Sequence, residues 1–411
     1  MVQTVAASLR LPPQGGARQP RNDHFILDED LGFFAVADGL ADPPRGAHAS
    51  LLCLDQLHQG AQRLRHQLSR VDASAAADLR RQILAAIEII LSETNAHLLH
   101  STHVAPWRRG TATSAAGVFC FEQSAYIAHA GTCRLFLVRG DRVRALNEPH
   151  TLHRHLAEQG RVSDTGRIQL MVASEVCAAF GLSPALRVDT AVVDLMDHDV
   201  LVIGSSNLTR YLGKSDFLAA AAVKDPDEAV TALAKKLEAL GERPVFGTMS
   251  LVLVAIQPTP TAAPQERDWL ETLERLETLF LFRELNEQER LRVGKIMNAE
   301  SFRAGQAVFA AGDAADKLYI VIAGAVRVEL RGVVLTTIGP GGHFGELALI
   351  DDAPRSAAVV AQEATTLLAI RRDDFLSLTR AESEIATRLL WALLEYGAGR
   401  VRELSDRLVQ D

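Results

Sequence analysis

The chain is short of the features that would place it in a membrane, outside a reducing compartment, or on nucleic acid. Its 411 residues hold four cysteines, Cys53, Cys120, Cys133 and Cys177, scattered without metal-ligand spacing. They read as small buried hydrophobes in a reducing cytosol. No apolar run approaches the ~20 residues a spanning helix needs. The opening MVQTVAASLRLPPQGG has no apolar core of signal-peptide length. A cytoplasmic protein without a membrane span is therefore expected. Basic charge is also scarce. Lys and Arg number 43 against 51 Asp and Glu, a formal net charge of −8. Nucleic-acid binders usually show a basic patch, so no nucleic-acid partner is expected. No Ser-His-Asp motif, P-loop or dinucleotide fingerprint appears, and there is no internal repeat.

Apolar residues are plentiful, 48% of the chain. That is ample for two or three cores at this length. The boundary between modules is legible. An apolar strand at Leu251 to Ile256 is followed by QPTPTAAPQ, whose prolines continue neither sheet nor helix. This reading divides the chain into residues 1–257, a linker at 258–265, and residues 266–411.

The most informative stretch is GELALIDDAPRSA, from Gly345 to Ala357. Gly345 frees the backbone for φ > 0 or close approach to a ligand. The Glu346 carboxylate can accept from a sugar hydroxyl. The Arg355 guanidinium is a planar charged fork that suits two phosphate oxygens. Leu347, Ala348 and Leu349 read as a single helical turn whose N–H groups face the same anion. The pattern describes a pocket for one sugar and one phosphodiester. The bland alternative is a surface turn with a Glu346–Arg355 ion pair. Around it, Val326, Val328 and Leu330 alternate with Arg327, Glu329 and Arg331 as a half-buried strand. Leu318 to Ile322 is a second apolar run, and glycines punctuate the segment as in short strands with tight turns. Helical periodicity is read over Gln265 to Asn298 and again from Asp373 onward.

With no break, Phe344, Gly345, Glu346, Leu347, Ala348, Pro354, Arg355, Ser356 and Ala357 resemble the phosphate-binding cassette of the cyclic nucleotide-binding domain family. The resemblance covers roughly residues 270–400, and GDAADKLYIVIAGAVRV is similar to that family's second and third strands. It implies a jelly-roll-like β-roll with flanking helices, Glu346 on the ribose 2′-hydroxyl, Arg355 on the cyclic phosphate, and the Ser356 hydroxyl beside it. Gly345, Leu347, Ala348 and Ala357 complete the binding set. The implied ligand is cyclic AMP or cyclic GMP, with a lean to cyclic AMP. About ten residues follow Arg400, too few for a helix-turn-helix.

In the terminal segment Leu390, Leu394, Gly397, Val401, Leu404 and Leu408 recur four and three apart, a heptad seam. Two readings stay open. The helix forms a homodimer through this seam, or it lies on its own roll as a lid with Trp391 and Tyr396 over the purine. Either way, ligand is expected to order residues 385–408.

The first module alternates strands and helices. Helices are read at 46–66 and 78–100, where Leu51, Leu54 and Leu57, then Ile83, Ile87, Ile90 and Leu91, recur at helical spacing. Strands are read at Phe33 to Ala37, Ser114 to Phe121, Ser124 to Ala130, Arg134 to Arg139, Val188 to Leu195, Val200 to Gly204 and Met249 to Ile256. His150, His153 and His155 are spaced i, i+3, i+5, so a helix would put the first two on one face, but loop context and a lack of acidic partners argue against a metal. Trp107 reads as a loop-to-strand anchor.

Five stretches in order, NDHFILDEDLGFFAVADG, GTATSAAGVF, AYIAHAGTCRLFLVRGDRVRALNEPHTL, HDVLVIGSSNLT and FGTMSLVLVAI, resemble the type 2C (PPM-type) metal-dependent Ser/Thr protein phosphatases. The resemblance implies an α+β fold, a two-sheet antiparallel β-sandwich flanked by helices with a two-metal Mg²⁺ or Mn²⁺ site between the sheets. It carries over Asp38 and the Gly39 carbonyl as metal ligands, Asp23 as a water-mediated ligand, and Arg18 as a phosphate clamp.

Other family positions differ. Ser206, Gly247 and Thr132 stand where carboxylates are expected, Asn22 stands at an acidic position, and Leu40-Ala41-Asp42-Pro43 replaces glycines and a histidine. Asp42 offers a displaced carboxylate. Neutral oxygens leave two divalent cations undercompensated. The expectation is a pseudophosphatase delivering a cyclic nucleotide signal to a protein or phosphoprotein partner. The alternative is a nucleotide-regulated phosphatase that keeps its activity.

Overall fold

Strands buried on both faces lose the apolar–polar alternation that a half-exposed strand shows. Several strands of the first unit are of this kind. In the computed structural model, FFAVADG at Phe33–Gly39 is buried almost throughout, as are Thr113–Phe121 and Val200–Gly204. The structure describes all residues except 1–2, 12–21, 41–43, 70–75, 105–111, 159–174, 209–210, 240–247, 259–280, 286, 295, 351–352, 382–384 and 396–411. Arg18, Asp42, Trp107, Gly247, Tyr396 and most of the heptad seam therefore lie outside the described residues. The chain divides into two compact units, Met1–Gln265 and Glu266–Asp411.

The first unit holds two five-stranded antiparallel sheets. One runs β1(Gln3–Leu11), β10(Met249–Gln257), β9(Val200–Gly204), β6(Arg134–Arg139), β7(Arg142–Ala145). The other runs β2(Asp23–Asp28), β3(Phe33–Gly39), β4(Thr113–Phe121), β5(Ser124–Ala130), β8(Asp189–Asp194). The helices expected at 46–66 and 78–100 are α1(Arg45–Leu68) and α2(Ala76–Val104). They pack Leu54, Leu57, Leu64, Ile83, Ile87 and Leu91 against Phe33, Ala35 and Ala37 of β3. The helices cross closely at Gly60, where a Cβ would lie 2.3 Å from Ile90 Cγ2.

Two further helices, α4(Lys214–Ala221) and α5(Pro226–Ala239), cover the outer face of the first sheet through Phe217, Val230 and Leu233. Phe33, Ala35 and Ala37 thus serve a helix layer. By the two-residue period of a strand, Phe34, Val36 and Asp38 point the other way, between the sheets. Sequence periodicity missed β1, α4 and α5, and a short α3(Leu152–Glu158).

A buried ion pair joins β6 to the start of β9, and its arginine also reaches across to the second sheet. Arg139, ending β6, donates from Nε to Asp199 Oδ1 at 2.8 Å and from Nη2 to Asp199 Oδ2 at 2.6 Å. The same Nη2 reaches the carbonyl of Asp194, at the end of β8, at 2.8 Å. Met196 N–H caps Asp199 Oδ2.

The second unit is a β-roll. One sheet runs β11(Met297–Phe302), β18(Thr365–Arg371), β13(Lys317–Ala323), β16(His343–Phe344). The other runs β12(Ala307–Phe309), β17(Ala358–Ala361), β14(Val326–Leu330), β15(Val333–Ile338). Two helices flank it, α6(Glu287–Gly294) and α7(Arg372–Ala381).

Two expectations need correction. The helix expected to run to Asn298 stops at Gly294, because Met297–Phe302 pairs along its length with Thr365–Ile370 as a strand. In β14, Val326 is buried but Leu330 is exposed, because the pairing with β15 shifts register between Val328 and Glu329. As expected, residues 385–395 are helical, and they bury Ile385, Leu389, Ala392 and Leu393. Arg388 holds this stretch to Glu289 at 2.6 and 2.8 Å. The seam residues Leu390 and Leu394 face outward, and Trp391 donates to Glu395 Oε1 at 3.1 Å.

Breaking the Arg139–Asp199 pair leaves an uncompensated buried charge. Asp199→Ala should destabilise the first unit by about 3–5 kcal/mol, read as a lower midpoint in urea denaturation followed by tryptophan-independent circular dichroism.

Candidate functional site

The described site residues of the first unit gather where β2, β3 and β4 lie side by side. Asp23 sits opposite Asp38, and Asp38 opposite Ser114, in the strand registers. Asp38 Oδ2 accepts from Ser206 Oγ at 2.6 Å and from Ser206 N–H at 3.3 Å. Ser206 Oγ lies 2.7 Å from Thr132 Oγ1, which lies 3.2 Å from Ser114 Oγ. Thr248 donates to Asp23 Oδ1 at 2.6 Å. The serine and threonine that stand at expected carboxylate positions are thus joined to Asp38 in one chain of hydroxyls.

Two glycines let the backbones approach here. A Cβ on Gly39 would lie 2.2 Å from the Gly46 carbonyl oxygen. Gly131 has φ +103°, and a Cβ there would meet Ser114 Oγ at 2.2 Å.

Burial pushes the Asp23 carboxyl up to about 8, with the neighbouring Asp38 charge as the second cause. Asp38 is raised as well, by burial, against the lowering effect of its Ser206 donors. The two carboxyls titrate together, and Asp38, with Ser206 as its donor, is the better served of the two.

Two divalent cations need several ionised oxygens. The described residues offer here two carboxyls, ringed by hydroxyls bonded to each other. That donor set does not fit a pair of Mg²⁺ or Mn²⁺ ions. Asp23, expected to reach the metal through water, faces Asp38 across the strand pair.

In the second unit, Gly345 has φ +77°, and a Cβ on it would lie 2.5 Å from Arg355 Nη1. Both facts require glycine. Glu346–Leu349 forms a 3₁₀ turn, as expected, but Ala348 N–H is already used by the Gly345 carbonyl at 3.1 Å. Arg355 is 7% exposed, and burial lowers its basicity. Its Nη2 donates to the Lys317 carbonyl at 2.7 Å, and its guanidinium carbon lies 4.1 Å from the Phe309 ring centroid. Its Nε is buried with no hydrogen-bond partner.

The Glu346–Arg355 ion pair that was the bland alternative is not formed. Gly345, Glu346, Leu347, Ala348, Arg355, Ser356 and Ala357 all line one cavity of about 930 Å³ including its open mouth. Among the described residues lining it, none comes from the helix at 385–395.

Sequence reading missed Phe309, Tyr319 and the Lys317 carbonyl. Phe309, Tyr319 and Phe344 form an aromatic cluster with centroids 5.3–6.0 Å apart. Tyr319 in β13 and Phe344 in β16 were the available signal. It also missed His129 and Asp189 beside His150, whose Nε2 lies 3.3 Å from Asp189 Oδ2. The expected lack of acidic partners for His150 is thereby corrected. His150 precedes α3 and does not share a helix face with His153.

Comparison with known proteins agrees with the two-part layout. Residues 18–185 match the Protein phosphatase 2C family, and residues 299–382 match the Cyclic nucleotide-binding domain family. The chain is similar to a cyclic AMP receptor protein of Thermus thermophilus, 43% identical over 104 residues, covering 24% of this chain and 46% of that protein. It is similar to a cAMP-dependent protein kinase regulatory subunit of Yarrowia lipolytica, 38% identical over 96 residues, covering 23% of this chain and 26% of the relative. A cGMP-dependent protein kinase of Toxoplasma gondii is 33% identical over 107 residues, 26% of this chain and 11% of the kinase. The match thus spans less than half the length of each relative.

Among solved structures, a serine/threonine phosphatase of Mycobacterium tuberculosis aligns with TM-score 0.51 at 15% identity, over 63% of this chain and 100% of its own. One of S. agalactiae aligns with TM-score 0.50 at 19% identity, over 62% and 100%. At such identities the likeness is one of fold. Among the described residues no helix is long and apolar enough to cross a membrane.

The raised Asp23 acid fixes the sign of a pH effect. The folded state holds this proton more tightly than the unfolded chain, where the ordinary value is 3.8. The stabilisation is complete below that value and is lost as pH rises through about 8. Melting temperatures of wild type and Asp23→Asn, measured from pH 5 to 9, should diverge, with wild type falling more steeply toward pH 9.

Proposed function

We propose that this chain, which carries a phosphatase 2C-type domain ahead of a cyclic nucleotide-binding domain, is a nucleotide-responsive signalling protein without phosphatase turnover. The observation that carries the nucleotide reading is Arg355. Its guanidinium is buried at the wall of an open cavity, and among the described residues no carboxylate pairs with it. A buried fork of this kind is suited to an anion brought by a ligand. Glu346 on the same turn takes the ribose hydroxyl, Ser356 assists at the phosphate, and Gly345 admits both. The similar proteins include namesakes of both cyclic AMP and cyclic GMP, and cyclic AMP is the ligand proposed here.

The absence of turnover rests on the hydroxyl chain around Asp38. The first unit then serves as a surface for a protein or phosphoprotein partner in the cytoplasm.

Calorimetry on the full chain tests the first half. Cyclic AMP should bind, and Arg355→Ala should weaken it by about 1.5–3 kcal/mol, the worth of a charge-assisted bond. An absence of heat with both cyclic AMP and cyclic GMP on folded protein overturns the reading.

Phosphopeptide hydrolysis tests the second half. No Mn²⁺-dependent turnover is expected. Hydrolysis that is abolished by Asp38→Ala would establish the active alternative. Ser206→Asp combined with Gly247→Asp should raise Mn²⁺ affinity over wild type, read by equilibrium dialysis.

A further inference from the structure

Away from Asp38, the first unit brings together two imidazoles and a carboxylate that neither the nucleotide pocket nor the phosphatase-type centre uses. His129 lies on β5 directly opposite Asp189 on β8. His150 comes from the turn that follows β7. Both histidines are almost fully buried, with their rings 4.5 Å apart. One donor atom from each of the three residues lies within 4.8 Å of the other two.

The hydrogen bonds aim these donors. His129 Nε2 lies 2.8 Å from the Glu148 carbonyl oxygen, which can only accept, so Nε2 carries the proton and Nδ1 keeps its lone pair. A ring fixed in this way by a backbone carbonyl is the arrangement of a metal-ligating histidine. His150 Nε2 is buried without a hydrogen-bond partner, although Asp189 Oδ2 is 3.3 Å away. The Asp189 side chain is 18% exposed, which leaves an approach from solvent.

From this geometry we infer that His129, His150 and Asp189 form a binding site for a first-row transition cation of the Zn²⁺ class, separate from the Asp38 centre. Two neutral imidazoles and one carboxylate are the borderline-soft donor set that such ions take at about 2.0–2.2 Å, with a fourth position left for water. Mg²⁺ prefers all-oxygen sets and is a poor fit.

Loading requires one internal proton move. Gly131 N–H donates to His150 Nδ1 at 3.2 Å, so in the neutral ring the proton sits on Nε2. When Nε2 takes the metal, that proton passes to Nδ1, and the Gly131 contact opens. No net proton is lost. Gly131 adjoins Thr132, whose hydroxyl is linked to Ser206 and so to Asp38.

The test uses tag-free full-length protein stripped with chelator, titrated with ZnCl2 by calorimetry and with Co²⁺ by visible absorption. One equivalent should bind, with Co²⁺ bands of tetrahedral type, and a large excess of Mg²⁺ should not displace it. Asp189→Asn and His129→Gln should each weaken binding by roughly 100-fold or more, at least the effect of losing an outer-shell partner. Metal-free melting curves show whether each variant is folded. Wild-type protein that takes up no Zn²⁺ overturns the inference. So does Zn²⁺ binding of unchanged affinity in a folded variant, which would place the ion on other histidines.

Discussion

Asp38 ends a strand whose inward neighbours are Phe34 and Val36, and a charge in that position must be served by donors or neutralised. Much of the first unit's local structure answers this demand. Ser206 gives Asp38 two donors, Thr132 and Ser114 extend the chain of hydroxyls, and Asp23 takes up a proton instead of adding a second charge. The backbones come close enough for this only because Gly39 and Gly131 carry no Cβ. The hydroxyls supply these donors locally. The same economy explains why Cys133, next to this centre, stays a thiol: burial, then the Asp38 charge, pushes its acidity well out of reach.

The second unit solves the opposite problem, a buried positive charge. Arg355 has no partner carboxylate among the described residues, and the fold holds it with neutral groups. The Lys317 carbonyl takes one guanidinium nitrogen, and the Phe309 ring supplies a π face. These contacts keep the fork in place without cancelling its charge, which is what anion recognition needs. The backbone of Arg355 is pinned as well, by bonds to Asp313 and Gly312. The arginine is thus positioned before any ligand arrives, and little conformational freedom remains to be lost on binding.

The legibility of the two sites differs for a physical reason. The cassette from Gly345 to Ala357 is local, thirteen consecutive residues whose chemistry follows from their types. The turn at Glu346–Leu349 and the glycine at positive φ were readable there directly. The Asp38 centre is assembled from β2, β3, β4, the turn at Thr132 and the turn at Ser206. Each piece could be placed only by resemblance, and the hydrogen bonds that join them could not be read. The histidine cluster is further still from legibility. His129 lay inside an apolar run, and nothing near His150 in the chain pointed to Asp189, thirty-nine positions away but across one strand pair from His129.

By itself the sequence determined the two-module layout, about half of the strands and both long helices of the first unit, because apolar period and proline-rich punctuation act over short range. It also determined the residue types at both centres. Tertiary structure alone decided what those residues do to one another. Strand register set Asp23 against Asp38 and turned one of them into an acid. Sheet packing brought Ser206 to Asp38, and the pairing of Met297–Phe302 with Thr365–Arg371 overrode a helical pattern. Periodicity reports which face is buried, but the protonation and bonding of a buried polar group depend on partners that only the fold brings within reach.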